Sequence, residues 1–192
     1  MLRRTQEERT ESTRAALIAA GRDVFARDGY ADASTAEISE RAQVTRGALY
    51  HHFDGKPGLF RAVHEALERD LVAAVTRRAA TETDPLAVIA AGLGAFLDHC
   101  EDPAFARIAL VDAPSVLGWA ELREVDSNYA LGLVDTGLAQ AMDAGVLRRQ
   151  PVRPLAHLLV AAIAEAGQMI AADGDRQTLE RSLLSLLDGL RA

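Results

Sequence analysis

The 192-residue sequence predicts an all-α protein of nine helices, on three observations. Apolar residues recur at three- and four-residue steps along most of the chain. Alanine, the strongest helix former, is abundant. No sustained period-two run of β-branched and aromatic residues marks a strand. Hydrophobic residues make up 49% and charged residues 26%, the balance of a folded globular chain and not of a disordered one.

The first helix is expected from about Glu7 to Asp28, with Leu17, Gly21, Val24 and Phe25 on one stripe and Gly29 as its stop. Ser34 or Thr35 offers a hydroxyl N-cap for a short helix ending near Ala42. Gln43-Val44-Thr45 form a turn, and Thr45 caps a third short helix through His52. Asp54-Gly55-Lys56-Pro57 is the sharpest boundary, because glycine ends one helix and proline suits the first turn of the next. That fourth helix repeats Phe60, Val63, Leu67, Leu71 and Val75. Thr83-Asp84-Pro85 opens a helix to about His99, and Asp102-Pro103 opens a short one. Pro114 to Gly118 is expected to interrupt the chain before a helix from about Trp119 to Asp143. The last two helices are expected at about Pro154–Ala172 and Asp175–Leu190.

Those last two are oily over more than one stripe. Leu158, Ile163 and Met169 on the first, with Leu179, Leu183 and Leu187 on the second, are expected at a two-fold interface with another copy of the chain. The alternative is that both are plain interior helices. The longest oily stretch, Pro154 to Ala172, carries His157, Glu165 and Gln168, each costly in a bilayer, so it reads as a buried helix with no membrane partner. The N-terminal Met1-Leu2-Arg3-Arg4-Thr5-Gln6-Glu7-Glu8 leads into charge rather than a signal peptide's apolar run. A single cysteine, Cys100, fits a reducing compartment, and a cytoplasmic location is expected.

Net charge is −7, but it is unevenly placed. Residues 1–57 hold nine Arg and Lys against nine Asp and Glu; residues 58–192 hold twelve against nineteen. Between Arg41 and Lys56 three basic residues face one acidic residue, with His51 and His52 in addition. A basic face on an acidic body is compatible with a polyanionic partner.

The stretch from Thr35 to Phe53 carries the chemistry. Ile38, Ser39, Ala42, Val44 and Leu49 are small or apolar where two short helices cross. The other face of the second helix then presents Arg46, Gly47, Tyr50 and His51. That face offers a guanidinium able to fork onto guanine, a glycine allowing close approach, and hydroxyl and imidazole groups for phosphate oxygens. A helix of this length fits the major groove. Tyr50 is also compatible with a partly buried core aromatic, and Arg46 with an ordinary solvated arginine; His52 is expected to pack within the module.

The tract Val44-Thr45-Arg46-Gly47-Ala48-Leu49-Tyr50-His51-His52-Phe53, followed by Lys56 and Leu59, resembles the recognition helix of the TetR family of bacterial transcriptional regulators. Gly29-Tyr30 and Ser34-Thr35 with Ile38 are similar to the preceding part. The resemblance covers roughly residues 10–60 in its motifs. It implies a TetR-like architecture, with a helix-turn-helix DNA-binding unit over 1–55 and an effector-binding and dimerisation unit over 56–192. It implies that Thr35 caps the second helix on a phosphate and that Arg46 and Gly47 sit at base edges. Tyr50 and His51 would contact phosphates and nearby bases, Lys56 would contact a backbone phosphate, and Thr45 would belong to the same DNA-binding set. Two departures stand out: Gln43 where the family usually has glycine, and Ser39 for the commoner alanine.

The implied function is a regulator, most simply a homodimeric repressor released from a palindromic double-stranded DNA operator by a small-molecule effector. Phe96, Trp119, Tyr129 and Met142 are candidates for the effector pocket. The alternative is a helical dimeric protein-binding module without DNA binding. Catalysis is not expected. Gly92-Leu93-Gly94 lacks a third glycine and a preceding strand, and no Gly-x-Ser-x-Gly, Walker or His-Glu-x-x-His motif occurs. Neither a cofactor nor a metal is expected, because His99 and Cys100 are adjacent and point in different directions on a helix.

Overall fold

The structure, a computed structural model, describes residues 6–192, apart from the side chains at positions 119 and 126–128. Ten α-helices and one π-helical turn lie among the described residues: α1 (Gln6–Asp32), α2 (Thr35–Arg41), α3 (Arg46–His52), α4 (Gly55–Ala79), α5 (Pro85–Cys100), α6 (Pro103–Phe105), the π turn (Ala106–Asp112), α7 (Ala113–Asn128), α8 (Ala130–Asp143), α9 (Val152–Ala171) and α10 (Arg176–Asp188). One antiparallel bridge, Leu147 to Arg191, ties the C-terminal end to the loop after α8.

Start and stop chemistry accounts for several boundaries. Asp84, Asp102 and Asp175 accept from backbone N–H groups two residues ahead and cap α5, α6 and α10. Gly29 breaks α1 at φ 76°, after which one more turn completes the element. Between Pro114 and Gly118 the chain does not leave the helix as expected. The π turn widens the ladder just before Pro114, relieving the clash a proline ring makes in a regular helix, and only Gly118, at φ 74°, kinks α7. The expected helix over 119–143 is divided instead at Tyr129, whose φ of −121° and ψ of −88° separate α7 from α8.

One hydrophobic core runs from Leu17, Val24 and Phe25 of α1, through Ile38, Leu49, Leu59 and Phe60, to Leu97, Phe105, Ile108, Ala166 and Leu183. A second cluster joins α8, α9 and α10 through Leu138, Met142, Leu159 and Leu187. Phe60 packs edge-on against both Phe25 and Tyr30, with ring centroids 5.2 and 5.1 Å apart, each contact worth about 0.5–1.5 kcal/mol beyond burial. Where α9 meets α5, Gly167 leaves room for Cys100. A Cβ at residue 167 would sit 2.9 Å from the sulfur, and burial pushes that thiol up to about 12. Cys100 is therefore a packing residue and not a nucleophile.

The terminal helices differ from expectation in which faces they bury. Leu183 and Leu187 are only 6% and 7% exposed and belong to the chain's own core, while Ile163 and Leu179 are half-buried against it. Leu158 and Met169 are exposed at 70% and 47%, joined by Leu186 at 57%. Helix α9 is long and apolar enough, by length and composition alone, to cross a membrane, yet only 22% of its most apolar window is buried. It is thus not the buried helix its composition suggests: it lays one face on α5 and α8 and leaves the other uncovered.

Candidate nucleic-acid interface

Helices α2 and α3 are held by residues that the crossing demands. Ile38 and Leu49 are fully buried, Ser39 is nearly so, and Ala42 and Val44 pack on the same core. The Ser39 hydroxyl donates to the Thr35 carbonyl at 2.8 Å, which makes the polar side chain harmless at the crossing. Gln43 takes a left-handed φ of 55°, so the turn does accept a side chain where glycine is easier. Thr45 caps α3, its Oγ1 accepting from Ala48 N at 3.2 Å. The expected hydroxyl cap of α2 is not formed: Ser34 is the N-cap, its side chain makes no cap bond, and Thr35 is the first helical residue.

The outward face of α3 carries the expected residues together. Arg46, Gly47, Tyr50 and His51 are all exposed, Tyr50 at 60%, which excludes the core-aromatic alternative for it. Arg46 has no ion-pair partner among the described residues, whereas Arg27 and Arg41 are bound to Glu37. Gly47 is informative by what surrounds it. A Cβ there would meet only Thr45 Oγ1, at 3.8 Å, so nothing inside the chain requires glycine, and the open surface favours a body that approaches from outside. His52 is half-buried, and its imidazole sits 5.3 Å from His51 and 6.4 Å from Phe53. Burial and the neighbouring His51 and Arg14 push it below its ordinary value.

Lys56 has a different task from the expected phosphate contact. Its ammonium donates to the carbonyls of Tyr30, Ala31 and Ala33 at 2.7, 3.0 and 3.1 Å, and lies 4.6 Å from the Tyr30 ring centroid. All three of its N–H donors satisfy carbonyls orphaned where α1 ends. It locks α1 to α4.

Behind this interface lies a cavity of about 520 Å³, walled by α4, α5, the π turn and α7 to α10. Phe96 lines it, as expected. Met142 does not, being buried in the second core cluster. Tyr129 does not either; its hydroxyl accepts from Arg69 at 3.4 Å outside the cavity. The Trp119 side chain lies outside the described residues. Sequence reasoning missed His64 and Glu68, which line the cavity at 1% and 6% exposure. The available signal was two polar residues four apart inside the apolar repeat of α4. Among the described residues no cluster of His, Cys, Asp and Glu is suited to a metal.

Burial pushes His64 down to about 4 from its ordinary 6.5, so the folded chain holds it neutral where the unfolded chain binds a proton. Stability therefore rises with pH through this window and falls on acidification. Between pH 6.5 and 5 the loss from His64 alone is expected to be roughly 1.5–2 kcal/mol. Urea titrations should register it, and His64→Leu should abolish that portion.

A family model described as "Bacterial regulatory proteins, tetR family" matches residues 17–63, and one described as "Tetracyclin repressor-like, C-terminal domain" matches residues 86–191. The chain belongs to the TetR family. A TetR-family transcriptional regulator from Pectobacterium atrosepticum superimposes with a TM-score of 0.82 at 32% identity, covering 98% of each chain. The uncharacterized HTH-type regulator TtgW of Pseudomonas putida is 38% identical over 74% of this chain and 95% of its own length. The Transposon Tn10 TetC protein of Escherichia coli is 28% identical over 80% of this chain and 78% of its own. As a TetR-family helix-turn-helix protein the chain is a DNA-binding transcriptional regulator.

Proposed function

We propose that the chain is a cytoplasmic, homodimeric repressor that a small-molecule effector releases from a pseudo-palindromic operator. Residues 1–55 read DNA, and residues 56–192 dimerise and take the effector. The observation that carries this is the face of α3: an unpaired Arg46, an unfilled space over Gly47, and exposed Tyr50 and His51 on a capped helix. Arg46 forks onto a base edge; Tyr50, His51 and the Thr45 hydroxyl hydrogen meet phosphates, and Thr35, at the start of α2, offers its backbone N–H to another. The exposed Leu158, Met169 and Leu186 meet their symmetry mates, so that two α3 helices enter successive major grooves about 34–36 Å apart.

The link between cavity and interface runs through the π turn. Ala109 and Leu110 of the turn, with Phe105 at the end of α6, line the cavity, while Asp112, at the end of the turn, accepts from the Tyr30 backbone N–H at 2.8 Å. Arg107 lies against Gly29, where any Cβ would collide with its guanidinium. An effector that prefers one setting of this turn shifts α1, and with it α3, by its differential affinity for the two settings, typically about 1–3 kcal/mol.

Selection of bound fragments from random duplex DNA, at stated salt, tests the proposal. An enriched inverted repeat supports it; no enrichment, or an asymmetric single site, overturns it. Within that site, Arg46→Ala is expected to cost about 1–3 kcal/mol and to relax preference at one base pair per half-site, read by competition with single-base variants.

A further inference from the structure

The ionisable groups of the cavity wall are concentrated on α4. His64 and Glu68 line it at 1% and 6% exposure, and no Lys or Arg does so among the described residues. The rest of the wall is mostly apolar, including Leu71, Phe96, Phe105, Leu133 and Ile163. Its volume of about 520 Å³ lies within the range of small-molecule sites.

His64 is the unusual member. Its Nδ1 is buried and has no hydrogen-bond partner among the described residues, a state that costs free energy unless something else completes it. Its Nε2 faces Glu68 Oε1 at 4.0 Å. A carboxylate on that side favours the tautomer with hydrogen on Nε2, which leaves Nδ1 as a lone-pair acceptor. Burial keeps the ring neutral at physiological pH. Glu68 has an interaction of its own within the chain, whereas Nδ1 of His64 has no hydrogen-bond partner among the described residues and is the acceptor a ligand can complete.

We propose that the cavity binds an uncharged, largely apolar molecule bearing a hydroxyl group, whose O–H donates to Nδ1 of His64. An acceptor-only polar group finds no donor at Nδ1. An anion meets no compensating cation on the wall and is brought toward Glu68. The proposal rests on the regulator function above only in taking this molecule as the effector; occupancy of the cavity can be measured without DNA.

The test titrates the full-length protein with four probes of one shape: 2-naphthol, 2-methoxynaphthalene, 2-naphthoate and 2-naphthylmethylamine, by calorimetry at pH 7.5. The naphthol should bind, the methyl ether about tenfold more weakly or worse, the carboxylate probe not detectably, and the ammonium probe less tightly than the naphthol, because its desolvation is set against one carboxylate already engaged within the chain. His64→Leu should bring naphthol down to the affinity of the ether and leave the ether unchanged; His64→Gln, which keeps an acceptor, should recover part of the difference. Equal binding of naphthol and ether, preference for either charged probe, binding of none, or discrimination that survives in folded His64→Leu would each overturn the proposal. If His64→Leu does not fold, the four wild-type titrations decide alone. Adding naphthol to the operator complex separates the two claims: a chain that binds naphthol but no DNA fails only as a regulator, and one that binds DNA but no naphthol fails only here.

Discussion

A chain carrying Leu158→Asp together with Leu186→Asp is expected to sediment as a folded monomer and to lose about 10²–10⁴-fold in operator affinity. Both leucines are mostly exposed in the single chain, so charge there leaves the chain's own core intact, and its thermal midpoint should barely move. The same charge at a two-fold axis faces its own copy and abolishes the apolar contact. Each monomer then holds one half-site without the gain in effective concentration that a second tethered reader supplies. Analytical ultracentrifugation and operator titration check the two halves separately. A dimeric double variant, or a monomeric wild type, would sink the interface. Leu183→Asp is the instructive contrast: residue 183 is 6% exposed, so a carboxylate there is buried in the core and unfolding, not clean monomers, is the expected result.

Lys56→Met is expected to lower stability by about 2 kcal/mol, or about 4–8 °C in midpoint, while leaving the base preference and the salt dependence of operator binding unchanged. Methionine keeps the apolar stem but removes the ammonium that joins three carbonyls at and just past the end of α1 to the start of α4. A residue contacting phosphate would behave oppositely, flattening the slope of affinity against salt by about one with little change in melting. Thermal melts and operator titrations across salt concentrations distinguish the two outcomes. Arg46→Ala, by comparison, should leave the melting temperature alone and alter base preference.

Much of the recognition module is legible in the chain because its determinants are local. Gly29, Thr45 and Pro57 set helix limits through the backbone angles or hydrogen bonds they permit, and Arg46, Gly47, Tyr50 and His51 fall on one face by helical spacing alone. The body was less legible. Pro114 reads as a break in any one-dimensional scan, yet the preceding π turn accommodates it. Tyr129 carries no breaker chemistry and still divides two helices.

What the sequence by itself determined is the helical class, the order of the elements and which residues share the outward face of α3, since periodicity, caps and turns act over a few residues. What only tertiary structure decided is which side of an oily helix is inside. On α9 and α10 the apolar residues cover more than a single stripe, so spacing cannot tell the side buried within the chain from the side left exposed. The same holds for Lys56 and His64. Whether an ammonium meets phosphate or carbonyl, and whether an imidazole meets water or a cavity, depends on neighbours more than twenty residues or a whole helix away. Such neighbours are supplied by packing and not by local chain chemistry.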